Sequence, residues 1–164
     1  MPVKYNRTKK KWQLTDSNDN VIASSNAGLI GKTEIELKEL ELNAPTLYIL
    51  ATAFGKDNLR FMHRLIRAAN VVRAGDVYKV PEKRSAANYR SREVVRSQSD
   101  RDVYYNVEFN YGAYSCNCED FERGATMHLE GYGQVCSHAL ASHLAYCSGI
   151  YLDDAPRGAK NDHT

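Results

Sequence analysis

Tyr114-Ser-Cys-Asn-Cys-Glu-Asp-Phe121 and Val135-Cys-Ser-His-Ala-Leu-Ala-Ser-His-Leu144 contain three of the chain's four cysteines, with a histidine beside the third. Cys116-x-Cys118 and, further on, Cys136-x-His138 offer four soft or borderline ligands in two close pairs. Zinc takes four such ligands tetrahedrally, at about 2.3 Å for sulfur and about 2.0 Å for nitrogen. With every position filled by protein, the ion has no place for water. One structural Zn2+ is therefore expected rather than a catalytic ion.

The elements that must bring these residues together are partly legible. Tyr114, Cys116 and Cys118 would alternate toward one side if the strand persists. Cys136 and His138 fall at the start of the last helix, where free amides and the positive dipole end favour thiolate. The gap from Glu119 to Val135 contains Gly124, Gly131 and Gly133. It suits a flexible excursion rather than a strand or helix, and a metal would staple it. Other donors compete. His143 follows His138 at a spacing seen in zinc fingers, and Cys147 shares an apolar stripe with Leu140 and Leu144, which reads as a buried thiol. His128 reads as a solvent-facing loop residue and His63, among arginines, as surface. A redox pair of Cys116 and Cys118 would leave Cys136 and His138 without a role.

Upstream, Lys10 to Ser25 reads as a hairpin, with Trp12 and Leu14 alternating, a polar turn from Asp16 to Asn20, and Val21-Ile22 resuming. The stretch Glu34 to Asn43 fits strand and helix alike. A helix is expected after Ala44-Pro45, up to Gly55. Another is expected from about Asp57 to Val72, with Phe61, Met62, Leu65, Ile66 and Ala69 on one face and Gly75 as its stop. "DVYKVP" reads as a strand, Ser85 to Asn88 as a polar loop, and Ser91 to Cys118 as β, with turns at Ser97–Asp100 and Asn110–Gly112. The sequence after Tyr151 has little to bury and reads as a loose tail.

The cysteine-histidine constellation resembles the SWIM zinc finger, whose pattern is C-x-C, a variable gap, then C-x-H in a ββα unit. The likeness runs from about Tyr78 to Leu144. "SCNCEDF", with Asp120 and Phe121, is similar to the family's C-x-C-x-D-F segment, and "VCSHALASHL" to its C-x-H helix. "VYKV" and "YYNVEF" take the places of its leading strands, and a helix like that from Asp57 to Val72 often precedes such units. The resemblance implies Cys116, Cys118, Cys136 and His138 as metal ligands, with His138 preferred to His143. SWIM units are associated with DNA transactions: Mutator-type transposases, bacterial helicase-like ATPases, and recombination mediators that contact strand-exchange paralogues.

Glu119 and Asp120 beside the cysteines invite an acid-base reading, but a filled coordination sphere leaves them nothing to activate. No phosphate loop, nucleophile elbow or H-E-x-x-H occurs, and no enzyme is expected. Candidate nucleic-acid contacts are Lys9, Lys10 and Lys11 in an acid-free N-terminal stretch, the helical stripe Arg60, Arg64 and Arg67, and Arg84, Arg90 and Arg92 interleaved with Tyr89. Acids gather elsewhere, at Glu34 to Glu41 and Glu119 to Glu130.

That segregation holds the net charge of the 164 residues to +2, and a hydrophobic fraction of 43% suits an ordinary globule. No apolar run approaches the roughly 20 residues of a membrane span, and the basic N-terminus lacks the apolar segment of a secretory signal. A cytoplasmic protein is expected, with nucleoid or nucleus as alternatives. The expected fold is α+β: an N-terminal hairpin and helical region over residues 1–75, a zinc-stabilised ββα SWIM unit over 76–150, and a tail over 151–164. The expected function is nucleic-acid binding, with DNA as the partner, or an adaptor role in DNA recombination, transposition or transcription. A protein-protein interaction module and a thiol redox protein are the alternatives. No membrane and no small-molecule substrate is expected.

Overall fold

The computed structural model describes residues 2–55, 59–79 and 90–150, with the backbone alone for residues 59, 60 and 90–92. The expected loop at Ser85–Asn88, Arg84, Tyr89 and the tail lie outside the described residues, as do the first residues of the helix expected from Asp57. The fold is α+β, and the chain divides into two compact units, residues 1–66 and 67–164.

The first unit opens with an antiparallel sheet in the order β1 (Val3–Asn6), β2 (Lys11–Thr15), β3 (Val21–Asn26). The expected hairpin is β2–β3. The strand before it went unread, because "VKYN" lies in a stretch dominated by lysines and arginine. Its backbone pairs along β2 from Val3↔Leu14 to Asn6↔Lys11, which stabilises it whatever its side chains. The ambiguous stretch after Glu34 is part of helix α1 (Leu29–Asn43), which buries Ile35 and Leu40 and leaves Leu42 exposed. Period 3.6 wins because α1 has a sheet face to cover. Trp12 lies under Lys32 at 5.4 Å, and the Ser25 hydroxyl donates to Glu34 at 2.7 Å. Helix α2 (Pro45–Gly55) follows, burying Leu47 and Ala51.

Gly31 sets how closely α1 can approach the sheet. A Cβ there would sit 1.8 Å from the Asn26 carbonyl oxygen. Backbone cannot swing aside as a side chain can, so Gly31→Ala must lift the helix. The expected cost lies at the upper end of the roughly 1–3 kcal/mol of overpacking, or a fall of about 5–10 °C in melting midpoint. An unchanged midpoint in a calorimetric scan would contradict this packing.

Helix α3 (Leu59–Arg73) buries Phe61, Met62, Leu65, Ile66 and Ala69, and Arg67 opposite them is exposed. It ends in a Schellman motif. Asp76 N–H donates to Val71 O at 3.2 Å and Gly75 N–H to Val72 O at 3.0 Å, with Gly75 at φ 75°. The second unit continues as an antiparallel meander of β4 (Val77–Lys79), β5 (Arg90–Arg96), β6 (Tyr104–Asn110) and β7 (Ala113–Cys116). Val77, Val95 and Val107 are at most 1% exposed.

The gap read as an excursion is structured. Helix α4 (Glu119–Glu122) and the hairpin of β8 (Met127–Leu129) and β9 (Gly133–Val135) fill it. Gly124 follows α4, Gly131 turns the hairpin and Gly133 opens β9, and Tyr114 N–H donates to Tyr132 O at 3.3 Å, tying the hairpin to β7. Helix α5 (Ser137–Ser148) buries Ala139, Leu140, Ala141, Leu144 and Ala145 and packs on the meander.

Candidate metal centre

Cys116 closes β7. The strand alternates, with Tyr114 and Cys116 buried and Ala113 and Ser115 exposed, and the register sets Cys116 opposite Val107. The expectation that Cys118 extends this alternation is wrong, because the strand stops at Cys116. The Asn117 side chain accepts from Asn106 N–H at 2.8 Å and its own N–H donates back to Asn106 O at 3.3 Å. That exchange turns the chain, and Cys118 becomes the N-cap of α4. Its sulfur accepts from Phe121 N–H at 3.4 Å. Cys136 repeats the device as N-cap of α5, accepting from Ala139 N–H at 3.4 Å. His138 stands one residue into that helix, with Nδ1 4.0 Å from the Cys136 sulfur.

The donor atoms of Cys116, Cys118, Cys136 and His138 all lie within 4.8 Å of one another. Ligands about 2.3 Å from a tetrahedral centre stand about 3.8 Å apart, so this group can hold a metal ion with little adjustment. The cysteines are 7%, 2% and 1% exposed, and the histidine is half-buried. Tyr105 covers the imidazole, with ring centroids 4.4 Å apart.

The thiols' proton affinities have been driven apart. Cys118 is pulled far below the ordinary thiol range, first by hydrogen bonding from Cys116 and then from Cys136. Cys116 is pushed far above it by its hydrogen bonding with Cys118 and Cys136 and by burial. At Cys136 the bond with Cys116 acts downward, but the bond with Cys118 and burial outweigh it, and the thiol is pushed up to about 11. Three buried sulfurs in mutual contact cannot all ionise without a cation between them. The two helix-end amides already point at two of those sulfurs, which favours the thiolate a metal needs.

The competing donors are elsewhere. His143 is 2% exposed, with Nδ1 3.0 Å from the Tyr114 hydroxyl and Nε2 3.7 Å from the Cys147 sulfur, and its ring lies 4.3 Å from that of Tyr132. Burial lowers its pKa. Cys147, expected buried, belongs to an exposed residue at the end of α5, where the apolar stripe has run out. His128 is exposed on strand β8 rather than in a loop, and His63 is half-buried rather than on the surface. Sequence reasoning missed Tyr105 and the Tyr114–His143 contact. Two signals were there: Tyr114 has the parity of Cys116, and a histidine beside Leu140 and Leu144 needs a buried partner.

Glu119 and Asp120 are exposed in α4, with Glu119 paired to Arg123. Of the basic candidates, Lys9, Lys10 and Lys11 are exposed together at the β1–β2 turn. Arg64 is half-buried and Arg67 exposed on α3, while Arg60 on α3 and Arg90 and Arg92 on β5 are placed by backbone alone. No helix among the described residues is long and apolar enough to cross a membrane.

No protein-family model matches the chain, and no curated protein or solved structure is significantly similar to it.

Proposed function

We propose that Cys116, Cys118, Cys136 and His138 hold one structural zinc ion in a unit of the SWIM type. On this reading the protein is a non-catalytic nucleic-acid-binding or adaptor protein serving DNA recombination, transposition or transcription. The observation that carries it is the placement of the four donors. One pair lies at the end of the β6–β7 hairpin and the cap of α4, the other at the cap and first turn of α5, which packs back on those strands. That is the arrangement the resemblance implies for C-x-C and C-x-H.

Three thiolates and an imidazole favour zinc over magnesium or calcium, which prefer oxygen. Four protein ligands close a tetrahedral ion to water, which supports a stapling role and speaks against a Lewis acid. The exposed acid-free run Lys9–Lys11 supports contact with phosphate.

Filter retention of labelled DNA, measured from low to moderate salt, tests the nucleic-acid part. Contacts to Z phosphates give a log-log slope of about −0.9Z, so three lysine contacts alone give about −2.7. A protein that retains no DNA at any salt would be an adaptor, and the nucleic-acid part would be lost.

A further inference from the structure

The sheet of the first unit has two unlike faces. Val3, Tyr5, Trp12, Leu14, Ala23 and Ser25 are in register on the side that α1 covers. The alternate residues, Lys4, Asn6, Lys11, Gln13, Ser24 and Asn26, share the other side. There Lys4, Lys11, Ser24 and Asn26 are exposed around a buried Gln13, whose side chain accepts from Asn6 at 3.1 Å. The turn joining β1 to β2 adds Arg7, Lys9 and Lys10, all exposed, and residues 3–14 contain no acid. At the far end Lys4 pairs with Asp19 at 2.9 Å, so the positive charge is concentrated toward the Arg7–Lys11 end.

We propose that this polar face is a docking surface for double-helical DNA, lying along the major groove with Arg7, Lys9, Lys10 and Lys11 against flanking phosphates. The proposal rests on the nucleic-acid reading above and names the form of nucleic acid and the surface that takes it. Charge complementarity with phosphate is strongest where the turn is acid-free, and two further observations select the duplex. The lysines lie on β1, β2 and the turn between them, a two-stranded ribbon with strands about 4.8 Å apart, which the roughly 12 Å major groove admits. Single strands are held by bases stacked on exposed aromatic rings, and both aromatic residues of this sheet, the exposed Tyr5 and the half-buried Trp12, lie on the side opposite the lysines, packed on each other with centroids 5.1 Å apart. The polar face instead offers ammonium, hydroxyl and amide groups, which suit phosphate and base edges.

Fluorescence anisotropy of the full chain with one labelled duplex and its single strand, across a salt series, tests this. The wild type is expected to bind the duplex at least tenfold more tightly than the strand. Lys9→Ala/Lys10→Ala/Lys11→Ala is expected to reduce the duplex salt slope by about 2.7. Ser24→Asp, which sets a carboxylate on the face without touching the turn, is expected to weaken duplex binding at least tenfold. Circular dichroism and melting of both variants should match the wild type, since all four residues are exposed. Wild-type duplex affinity in both variants would overturn the proposal while leaving nucleic-acid binding itself intact. Preference for the single strand would overturn the choice of duplex, and absence of any binding would overturn the proposal and the nucleic-acid reading together.

Discussion

If the four donors hold a structural zinc ion as proposed, a strong chelator is expected to unfold the second unit, and Cys136→Ser is expected to do the same. Cys116, Cys118 and Cys136 are all but sealed from water, and each terminates or caps a different element: β7, α4 and α5. On the proposed reading, loss of the ion returns protons to Cys116 and Cys136 and frees the β7–α4 turn from α5. Structural zinc contributes on the order of 10 kcal/mol in peptides, as much as the whole stability of many domains. Far-UV circular dichroism should lose much of its signal on chelation and recover it on adding zinc. Cys147→Ser, at the exposed end of α5, should melt like the wild type. Chelated protein with an unchanged melting curve would rule out a stabilising ion.

Asp76 should show the second large effect. Its carboxylate is 2% exposed and receives Arg101 through both guanidinium nitrogens, at 2.7 and 2.8 Å, with a third bond from Gln98 at 3.0 Å. These bonds join the start of β4 to the β5–β6 connection, while the Asp76 carbonyl accepts Arg96 N–H at 2.9 Å. Asp76→Ala removes the carboxylate and leaves Arg101 and Gln98 only their longer bonds to the Ser97 and Arg96 carbonyls, both 3.4 Å. Breaking a buried pair costs about 3–5 kcal/mol, and because the guanidinium is half in water, about 2–3 kcal/mol is expected here.

The pH dependence of this pair has a definite sign. Burial pushes the Asp76 pKa up, but the bonds from Arg101 and Gln98 outweigh it and hold the group below the ordinary carboxylate range. The unfolded chain, with its aspartate near 3.9, therefore takes up this proton first as pH falls. The stabilisation is fully present above about pH 5 and is lost as pH falls through the folded value. The stability gap between wild type and Asp76→Ala, followed by urea titration, should narrow in acid. A gap that stays constant down to pH 3 would contradict this coupling.

Residue types and spacing located most of the elements. The helix burying Leu65 and Ile66, its stop at Gly75 and the strands around Val95 and Val107 follow from periodicity and punctuation. Helix α1 was ambiguous because Ile35, Leu37, Leu40 and Leu42 suit either period, and the sheet beneath it decides. Strand β1 was hidden because backbone pairing, rather than its side chains, forms it. The gap after Cys118 misled for a related reason. Gly131 and Gly133, read as looseness, turn and open the β8–β9 hairpin at φ 83° and 78°.

Within the site, the pairing of Cys116, Cys118, Cys136 and His138 was visible as spacing. The caps supplied by Cys118 and Cys136 were not, since N-cap cysteines are uncommon beside Ser, Thr, Asp and Asn. Nor could spacing separate His138 from His143. What separates them is that Tyr114 and Cys147 engage both ring nitrogens of His143, while Nδ1 of His138 faces the Cys136 sulfur.

Metal content by native mass spectrometry of the purified chain tests the central claim most directly, alongside Cys116→Ser, His138→Ala and His143→Ala. The account predicts one zinc ion per chain, lost in Cys116→Ser, lost or held far more weakly in His138→Ala, and kept in His143→Ala. A metal-free wild type, or one whose zinc survives in His138→Ala and disappears in His143→Ala, would contradict it.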